Sequence, residues 1–375
     1  MHFETYPFEK LNILLKDIES NNNLRPLNLT IGEPQFKTPN FILDELNRNI
    51  ELFNRYPKSI GEGFLRESIL KYLTNRFNLE LDLNQIIPTF GTREVLFNFP
   101  QFYLFDKKSP TMAFPNPFYQ IYEGSAIASR AKVIYMNLTK ENNFKPELDK
   151  KSLEEVDLVI INTPNNPTSS TLLMEELKRW VELALEYNFL LLNDECYIDL
   201  YLDEPLPSLL NASIEVGNGD FKNILVVNSI SKRSSAPGLR SGFIAGDSVI
   251  LKEYMQYRTY IGCASPLPLQ YASASAWAEQ SHVDIFRKKY IKNFEIAEEI
   301  LGLKRPLATF YIWLEVGDDI EFTKRLYRDY NLKVIAGSFL GREGMGRGFV
   351  RLALVYGADE TKEALIRVKD LKDKM

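Results

Sequence analysis

The sequence predicts an α/β protein, with a large domain on a mostly parallel central sheet and a smaller α+β domain behind it. Three observations point there. Through the middle of the chain, short β-rich runs alternate with helical patterns, as in sheets whose strands are joined by helical crossovers. Those runs are almost continuously apolar, which is how strands read when both sheet faces are covered. From about residue 280 the alternation gives way to longer helices and isolated short strands.

The strands expected in the large domain are Gln85–Phe90, Thr111–Phe114, Lys132–Met136, Leu158–Asn162, Phe189–Asn193, Ile224–Asn228 and Gly242–Ala245. Between the fourth and fifth, Leu173, Leu177, Trp180, Val181, Ala184 and Leu185 recur at helical spacing and mark one buried helix face. Beyond residue 280 a charged helix is expected over Ile285–Ile300, then a strand within Thr309–Val316 and a helix over Asp319–Tyr330. A short strand at Lys333–Ile335, a Gly-rich loop over Gly337–Gly348, a strand at Phe349–Val355 and a last helix complete the chain.

Composition narrows the function. The chain has 375 residues, enough for two domains, with 45% hydrophobic and 25% charged residues. Its net charge of −5 argues against nucleic acid as a main partner. Apolar runs such as Phe189–Leu192 and Ile224–Val227 are far shorter than the roughly 20 residues that span a bilayer. The two cysteines, Cys196 and Cys263, are far apart, and MHFETYPFEKLN has no signal-peptide core. A cytoplasmic protein without membrane partners is expected. With only His2 and His282, no His-rich metal site can form, and His282 in SHVDIFRKKY reads as a surface residue. No nucleotide-binding glycine loop is present.

The chemistry gathers where strands end. Phe90 runs into GTRE, Phe114 into PNPFY, Asn162 into TPNNP, Asn193 into DECY and Asn228 into SISKRS. Ligands of open parallel sheets bind outside the carboxyl ends of the strands, so these segments should converge on one crevice. GTRE precedes a helical stretch, whose first backbone amides suit an anion, with Thr92 as a helix cap. Arg351 lies inside the apolar strand pattern GFVRLALV, where an unpaired cation is costly, so a ligand or an ion-pair partner is implied.

The segments NTPNNPT, DECY and SISKRSSAPGLR also stand in the order and spacing of a known family. Over nearly its whole length the chain resembles the fold-type-I, pyridoxal 5′-phosphate (PLP)-dependent aminotransferases of class I/II. The resemblance implies PLP, an electron sink for the amino acid's α-carbon. It implies Lys232 as the lysine that binds the cofactor aldehyde as an imine and then moves a proton. Asp194 would face the pyridine nitrogen and favour its charged form. Tyr197 and Asn166 would bond the ring oxygen, and Tyr119 would stack on the ring. Gly91, Thr92, Arg93, Ser229 and Arg240 would hold the phosphate. Gly32, Asn166 and Arg351 would hold the substrate's α-carboxylate. RYPKSIGEGFLRESI resembles the segment whose tyrosine reaches a neighbouring subunit's phosphate, which makes Tyr56 a site residue in trans and implies a homodimer. The family organisation implies an N-terminal arm (1–40) that joins the small domain, a large PLP-binding domain (41–275) and a small C-terminal domain (276–375).

Four stretches, GTREVLF, SKRSSAPGLRSGF, TFYIWL and GSFLGRE with GFVRLALV, resemble the N-succinyl-diaminopimelate aminotransferases of lysine and diaminopimelate biosynthesis. That branch exchanges an amino group between glutamate/2-oxoglutarate and an N-succinylated 2-amino-6-oxopimelate. Both substrates carry several carboxylates, so a second cation is expected near the distal end, with Arg25, Arg342 and Arg347 as candidates. Aminotransfer to aspartate, aromatic or other amino acids is the alternative, followed by a C–S lyase or a non-enzymatic regulator of the same fold. The sequence departs from the family at Ser169, where glycine usually follows NPT, at Ala336-Gly337, where Pro-Gly is common, and at GMGRG.

Overall fold

The computed structural model describes residues 3–375, so His2 lies outside the described residues. The strands are β1 (Leu27–Asn28), β2 (Ile86–Thr89), β3 (Thr111–Asn116), β4 (Lys132–Asn137), β5 (Leu158–Asn162) and β6 (Leu190–Asp194). They continue with β7 (Ile224–Ser229), β8 (Gly242–Gly246), β9 (Tyr311–Glu315), β10 (Leu332–Lys333), β11 (Ile335–Ala336) and β12 (Phe349–Ala353). A 7-stranded sheet runs in the order β2-β8-β7-β6-β5-β3-β4. The neighbours from β7 to β4 pair in parallel, and β8 alone runs against them, between β7 and β2. The carboxyl ends of β2, β3, β5, β6 and β7 therefore share one edge, and Arg240 reaches the same edge just before β8 begins.

Alternation along the inner strands builds two core layers. Val159, Ile161, Leu191, Ile224 and Val226 face one layer with Leu177, Trp180, Val181 and Ala184. Leu158, Ile160, Leu190, Leu192, Leu225 and Val227 face the other with Val95, Leu96 and Phe99. Covering both faces is what makes these strands read as unbroken apolar runs. The helix carrying Leu177 and Trp180 spans Met174–Tyr187. It begins where Glu176 accepts the Leu173 amide at 2.9 Å, and it ends at Asn188 in the left-handed conformation with φ 56°.

A third apolar cluster collects the later elements. β11-β12-β9 form an antiparallel sheet, and β1 pairs with β10. Phe286, Tyr290, Phe294 and Ala297, on one face of the helix Ser281–Leu301, pack with Leu314, Leu352 and the last helix's Leu365, Val368 and Leu371. Leu27 and Leu29 join this cluster from the N-terminal segment, and Tyr197, Leu200 and Leu202 join it from beyond β6.

Two sequence expectations change here. The run Lys333–Ile335 is not one strand, because β10 and β11 flank Val334 and pair into different sheets. His282 is not a surface residue. It sits 5% exposed at the start of the helix Ser281–Leu301, with Nε2 2.8 Å from Ser234 Oγ and Nδ1 against Glu279. Its helix starts four residues earlier than the charged pattern suggests, and His282 falls on the apolar stripe of Val283 and Phe286. No helix of the described residues is long and apolar enough to cross a membrane.

Candidate active site

At the carboxyl edge of the large sheet lies a cavity of about 440 Å³. Of the residues singled out from sequence, Gly32, Thr92, Arg93, Tyr119, Asn166 and Asp194 line it, and so do Tyr197, Ser229, Lys232, Arg240 and Arg351. Gly91 stands directly behind Arg240. Tyr56 is fully exposed and away from the cavity of its own chain.

Lys232 follows β7 in a single helical turn, Ile230–Arg233. The turn sends successive side chains opposite ways: Lys232 enters the cavity and Arg233 the core. Lys232 Nζ donates to Gly32 O. Burial disfavours its charged form and pushes the amine down to about 8, with Arg351 and Arg240 adding to the effect and Cys196 and Glu33 opposing it.

Asp194 ends β6 and is 5% exposed. Its carboxylate accepts the Tyr122 hydroxyl at 2.9 Å and the Cys196 amide at 3.2 Å. Burial raises its pKa above the usual carboxylate value despite these donors. Two residues on, Tyr197 Oη lies 3.0 Å from Tyr311 Oη. Asn166 is positioned by its own amide, which donates to Asn162 Oδ1 at 2.8 Å. Its Oδ1 accepts Arg351 Nη1 at 2.7 Å, while Arg351 Nη2 donates to Thr30 O. Arg351 Nε is buried with no partner among the described residues.

The GTRE segment turns differently from the sequence expectation. Gly91, not Thr92, is the residue before the helix Thr92–Tyr103, and no side chain caps it. Thr92 Oγ1 instead meets Cys196 Sγ at 3.2 Å. Gly91 has φ +75°, so the backbone favours glycine, and a Cβ there would push the Arg240 guanidinium out of its place. The amides of Thr92 and Arg93 open the helix and have no acceptor inside it. Glu94 does not compete for them, since Arg258 Nε and Nη2 hold it at 2.9 and 3.0 Å.

The charge balance of the cavity is lopsided. Among the described residues its lining carries four cationic side chains, Arg93, Lys232, Arg240 and Arg351, against one carboxylate, Asp194. The four donate to neutral oxygens: Tyr119 Oη, Gly32 O, Pro237 O and Asn166 Oδ1. A net-negative chain has gathered uncompensated positive charge at one strand edge, which suits ligands bearing more than one anionic group.

The model of the family "Aminotransferase class I and II" matches residues 25–368. The chain is a member of that family. An aminotransferase named AspB from Helicobacter pylori is 48% identical with a TM-score of 0.98, each chain covered in full. An aminotransferase from Neisseria meningitidis is 35% identical with a TM-score of 0.94, covering 99% of this chain and 98% of that one. Among curated relatives, an aspartate aminotransferase of Thermotoga maritima is 29% identical over 92% of this chain and 90% of its own length. An LL-diaminopimelate aminotransferase of Aquifex aeolicus is 28% identical over 92% and 91%.

Members of the family depend on PLP, and this aminotransferase has a lining that fits it. A buried amine on Lys232, one buried carboxylate on Asp194, open helix amides at Thr92 and Arg93, and the Arg240 cation are the donor set that an aldehyde, a pyridine nitrogen and a phosphate require. Two of the three departures from the family are absorbed. Ser169 takes the left-handed conformation with φ 61°, where glycine is usual, and its Oγ bonds Thr309 Oγ1 at 2.7 Å and Tyr311 O at 2.9 Å. Ala336 has φ −62°, the value a proline would impose.

Sequence reasoning missed Tyr6, Tyr122 and Tyr311, which also line the cavity. Tyr311 sits inside the segment TFYIWL and Tyr122 just beyond PNPFY, but nothing local shows which aromatic of a run faces a site. The three distal-cation candidates are not in the lining. Arg25 pairs with Glu363 at 2.6 Å, Arg342 donates Nε to Glu123 at 2.7 Å, and Arg347 is exposed. The further cation in the cavity is Arg93, whose Nε donates to Tyr119 Oη at 2.8 Å beside Tyr6.

Proposed function

We propose that this aminotransferase moves an amino group between glutamate/2-oxoglutarate and an N-succinylated 2-amino-6-oxopimelate. The observation that carries this reading is the surplus of cations over carboxylates in the cavity. One cation, Arg240, lies against Gly91 and the open amides of Thr92 and Arg93, a setting for the cofactor phosphate together with Ser229. A second, Arg351, has an unpartnered Nε and serves the α-carboxylate with Gly32 and Asn166. Arg93 is then left for a distal carboxylate, as substrates with several acidic groups require.

PLP supplies, when bound, an aldehyde that joins an amine and a ring that takes up electron density from the amino acid's α-carbon. Lys232 would hold the cofactor through Nζ, and the same amine, when free, would be the base placed for the proton of the substrate's Cα. Asp194 is the counter-charge for a protonated ring nitrogen. Tyr197 and Asn166 would donate to the ring oxygen, and Tyr119 would cover the ring. Tyr56, exposed on its own chain, reaches the cofactor phosphate of a second copy, so the working unit is a cytoplasmic homodimer. The divisions 1–40, 41–275 and 276–375 belong to the same proposal.

A second reading is transamination of aspartate. It is supported by the same cations and by the names of the Thermotoga relative and others. Aromatic or branched donors leave Arg93 without a carboxylate partner. The deciding experiment is a donor panel of N-succinyl-diaminopimelate, aspartate, LL-diaminopimelate and phenylalanine with 2-oxoglutarate, compared by kcat/KM. Preference for the succinylated donor supports the first reading. Preference for aspartate with no succinylated turnover transfers the function to the second. A protein that stays colourless with added PLP sinks both.

A further inference from the structure

Tyr311 meets three residues to which sequence assigns a role, Tyr197, Arg351 and Gly32. It starts β9 and is 2% exposed. Its hydroxyl lies 3.0 Å from the Tyr197 hydroxyl, and the two rings meet edge to face at 5.5 Å. Its ring carries the Arg351 guanidinium, with Cζ 4.5 Å from the centroid. A Cβ on Gly32 would collide with the Tyr311 hydroxyl, so the phenol fills the space where residue 32 would otherwise have a side chain. Gly32 O in turn accepts Lys232 Nζ.

The phenol is itself held in place. Tyr311 pairs with Ala353, and Trp313 with Arg351, in the β9–β12 ladder, so the tyrosine and the arginine are fixed to adjacent strands. Tyr311 N donates to Thr309 Oγ1 at 3.0 Å, and Tyr311 O accepts Ser169 Oγ at 2.9 Å. Ser169 and Thr309 also bond each other at 2.7 Å.

We infer that Tyr311 is a positioning residue that sets two groups at once: its hydroxyl orients the Tyr197 hydroxyl, and its ring face holds the Arg351 guanidinium. The inference rests on the proposed roles of Tyr197 at the cofactor's ring oxygen and Arg351 at the substrate carboxylate. Tyr197 has one proton. If it donates that proton to the ring oxygen, its lone pair accepts from Tyr311, and this second bond strengthens the first. The hydroxyl of Tyr311 therefore acts on the cofactor's titration, and its ring acts on substrate binding. The titratable and charged groups around this pair are Lys232, Cys196, Asp194, Glu33, Arg351, Arg240, Tyr6 and Tyr290, and they stay unchanged in the variants below.

Two variants separate the parts. Tyr311→Phe keeps the ring and removes the hydroxyl. The pH midpoint of the PLP-loaded protein's visible absorbance should rise by a few tenths to about one pH unit, the worth of a neutral hydrogen bond, with KM for the amino donor nearly unchanged. Tyr311→Leu also removes the ring, and KM should rise about 2- to 30-fold, the worth of a cation–π contact. Tyr197→Phe should raise the midpoint as well, and Tyr311→Phe added to Tyr197→Phe should shift it no further, because the effect passes through Tyr197. The inference is overturned if Tyr311→Phe leaves the midpoint at the parent's value while Tyr197→Phe moves it, or if Tyr311→Leu leaves KM unchanged. If Tyr197→Phe moves nothing, the role of Tyr197 has failed and the inference falls with it. Absorbance is read on protein whose melting profile matches the parent, so a folding defect is not mistaken for either result.

Discussion

Arg233 follows Lys232 in the chain but points away from the cavity, and its Nε lies 2.7 Å from Asp199 Oδ2 with both side chains buried. Asp199 also accepts Arg76 Nε at 3.0 Å and the Tyr72 hydroxyl at 2.9 Å. Arg233 spends its other donors on Ala276 O and Gln280 Oε1, at 2.7 and 2.8 Å. The turn that presents Lys232 is thereby tied to the segment leading into the helix Ser281–Leu301. Removing one partner of a buried pair leaves a desolvated charge, so Arg233→Met should cost about 3 kcal/mol, the low end of the usual range because Arg76 stays. Denaturant unfolding measures it, and a loss under about 1 kcal/mol contradicts the argument. Burial acts to raise the Asp199 carboxyl, but Arg233 and Arg76 outweigh it and hold it below its ordinary value. A depressed carboxyl stabilises the fold in full above the unfolded value of about 3.9 and loses that contribution as pH falls through the folded value. The variant's stability should therefore fall less steeply in acid than the parent's.

Lys232 offers a test by pH. Burial pushes its amine down to about 8, and only the neutral amine attacks an aldehyde. In protein prepared without cofactor, the rate of visible-band formation on adding PLP should rise with pH and level off above about 8. A profile still rising at the ordinary lysine value of about 10.4 contradicts the shift. Lys232→Ala should form no such band.

Much of this was legible because it is local. β5 spans Leu158–Asn162 as the apolar run implies, and the helix Asp319–Tyr330 matches its sequence pattern. Lys232, Asp194 and Asn166 stand at strand ends or in the turns that follow, where topology concentrates ligand groups. What stayed hidden depends on distant partners. β10 and β11 read as one run, but Leu332 pairs with Leu27 and Ile335 with Arg351. Arg342 looked free until Glu123 was brought against it, and His282 looked exposed until Ser234 was. Arg93 was visible in GTRE, but only the fold brings Tyr119 to its side chain.

Asp194 and Tyr122 test the cofactor side of the site. Tyr122 Oη donates to the carboxylate at 2.9 Å and lowers its pKa, against the burial that raises it. Asp194→Ala should reduce kcat on the order of 10²–10³-fold, the range for losing one electrostatic partner of a developing charge. Tyr122→Phe removes one hydrogen bond to a charged group and should cost about tenfold. It should also move the acid limb of activity to higher pH, since an ionised Asp194 becomes harder to keep. Parent turnover in Asp194→Ala removes its proposed role, and an unmoved acid limb in Tyr122→Phe removes the link between the two.

Arg93 offers a test between acidic and neutral substrates. Its guanidinium has one hydrogen bond to Tyr119 Oη, and PLP does not need its side chain if the backbone amides of Thr92 and Arg93 serve the phosphate. A charge-assisted bond to a substrate carboxylate is worth about 1.5–3 kcal/mol, so Arg93→Met should lower kcat/KM for glutamate by about 10- to 150-fold. Alanine, which has no distal carboxylate, should lose little. PLP affinity serves as the control: a matching fall in cofactor binding assigns the side chain to the phosphate instead. If glutamate and alanine fall together while PLP binding holds, Arg93 acts on the α-carboxylate or on the cavity's shape, and the distal-carboxylate role is gone. If only the acidic donors fall, Arg93 is the cation that the sequence implied and sought at Arg25, Arg342 and Arg347.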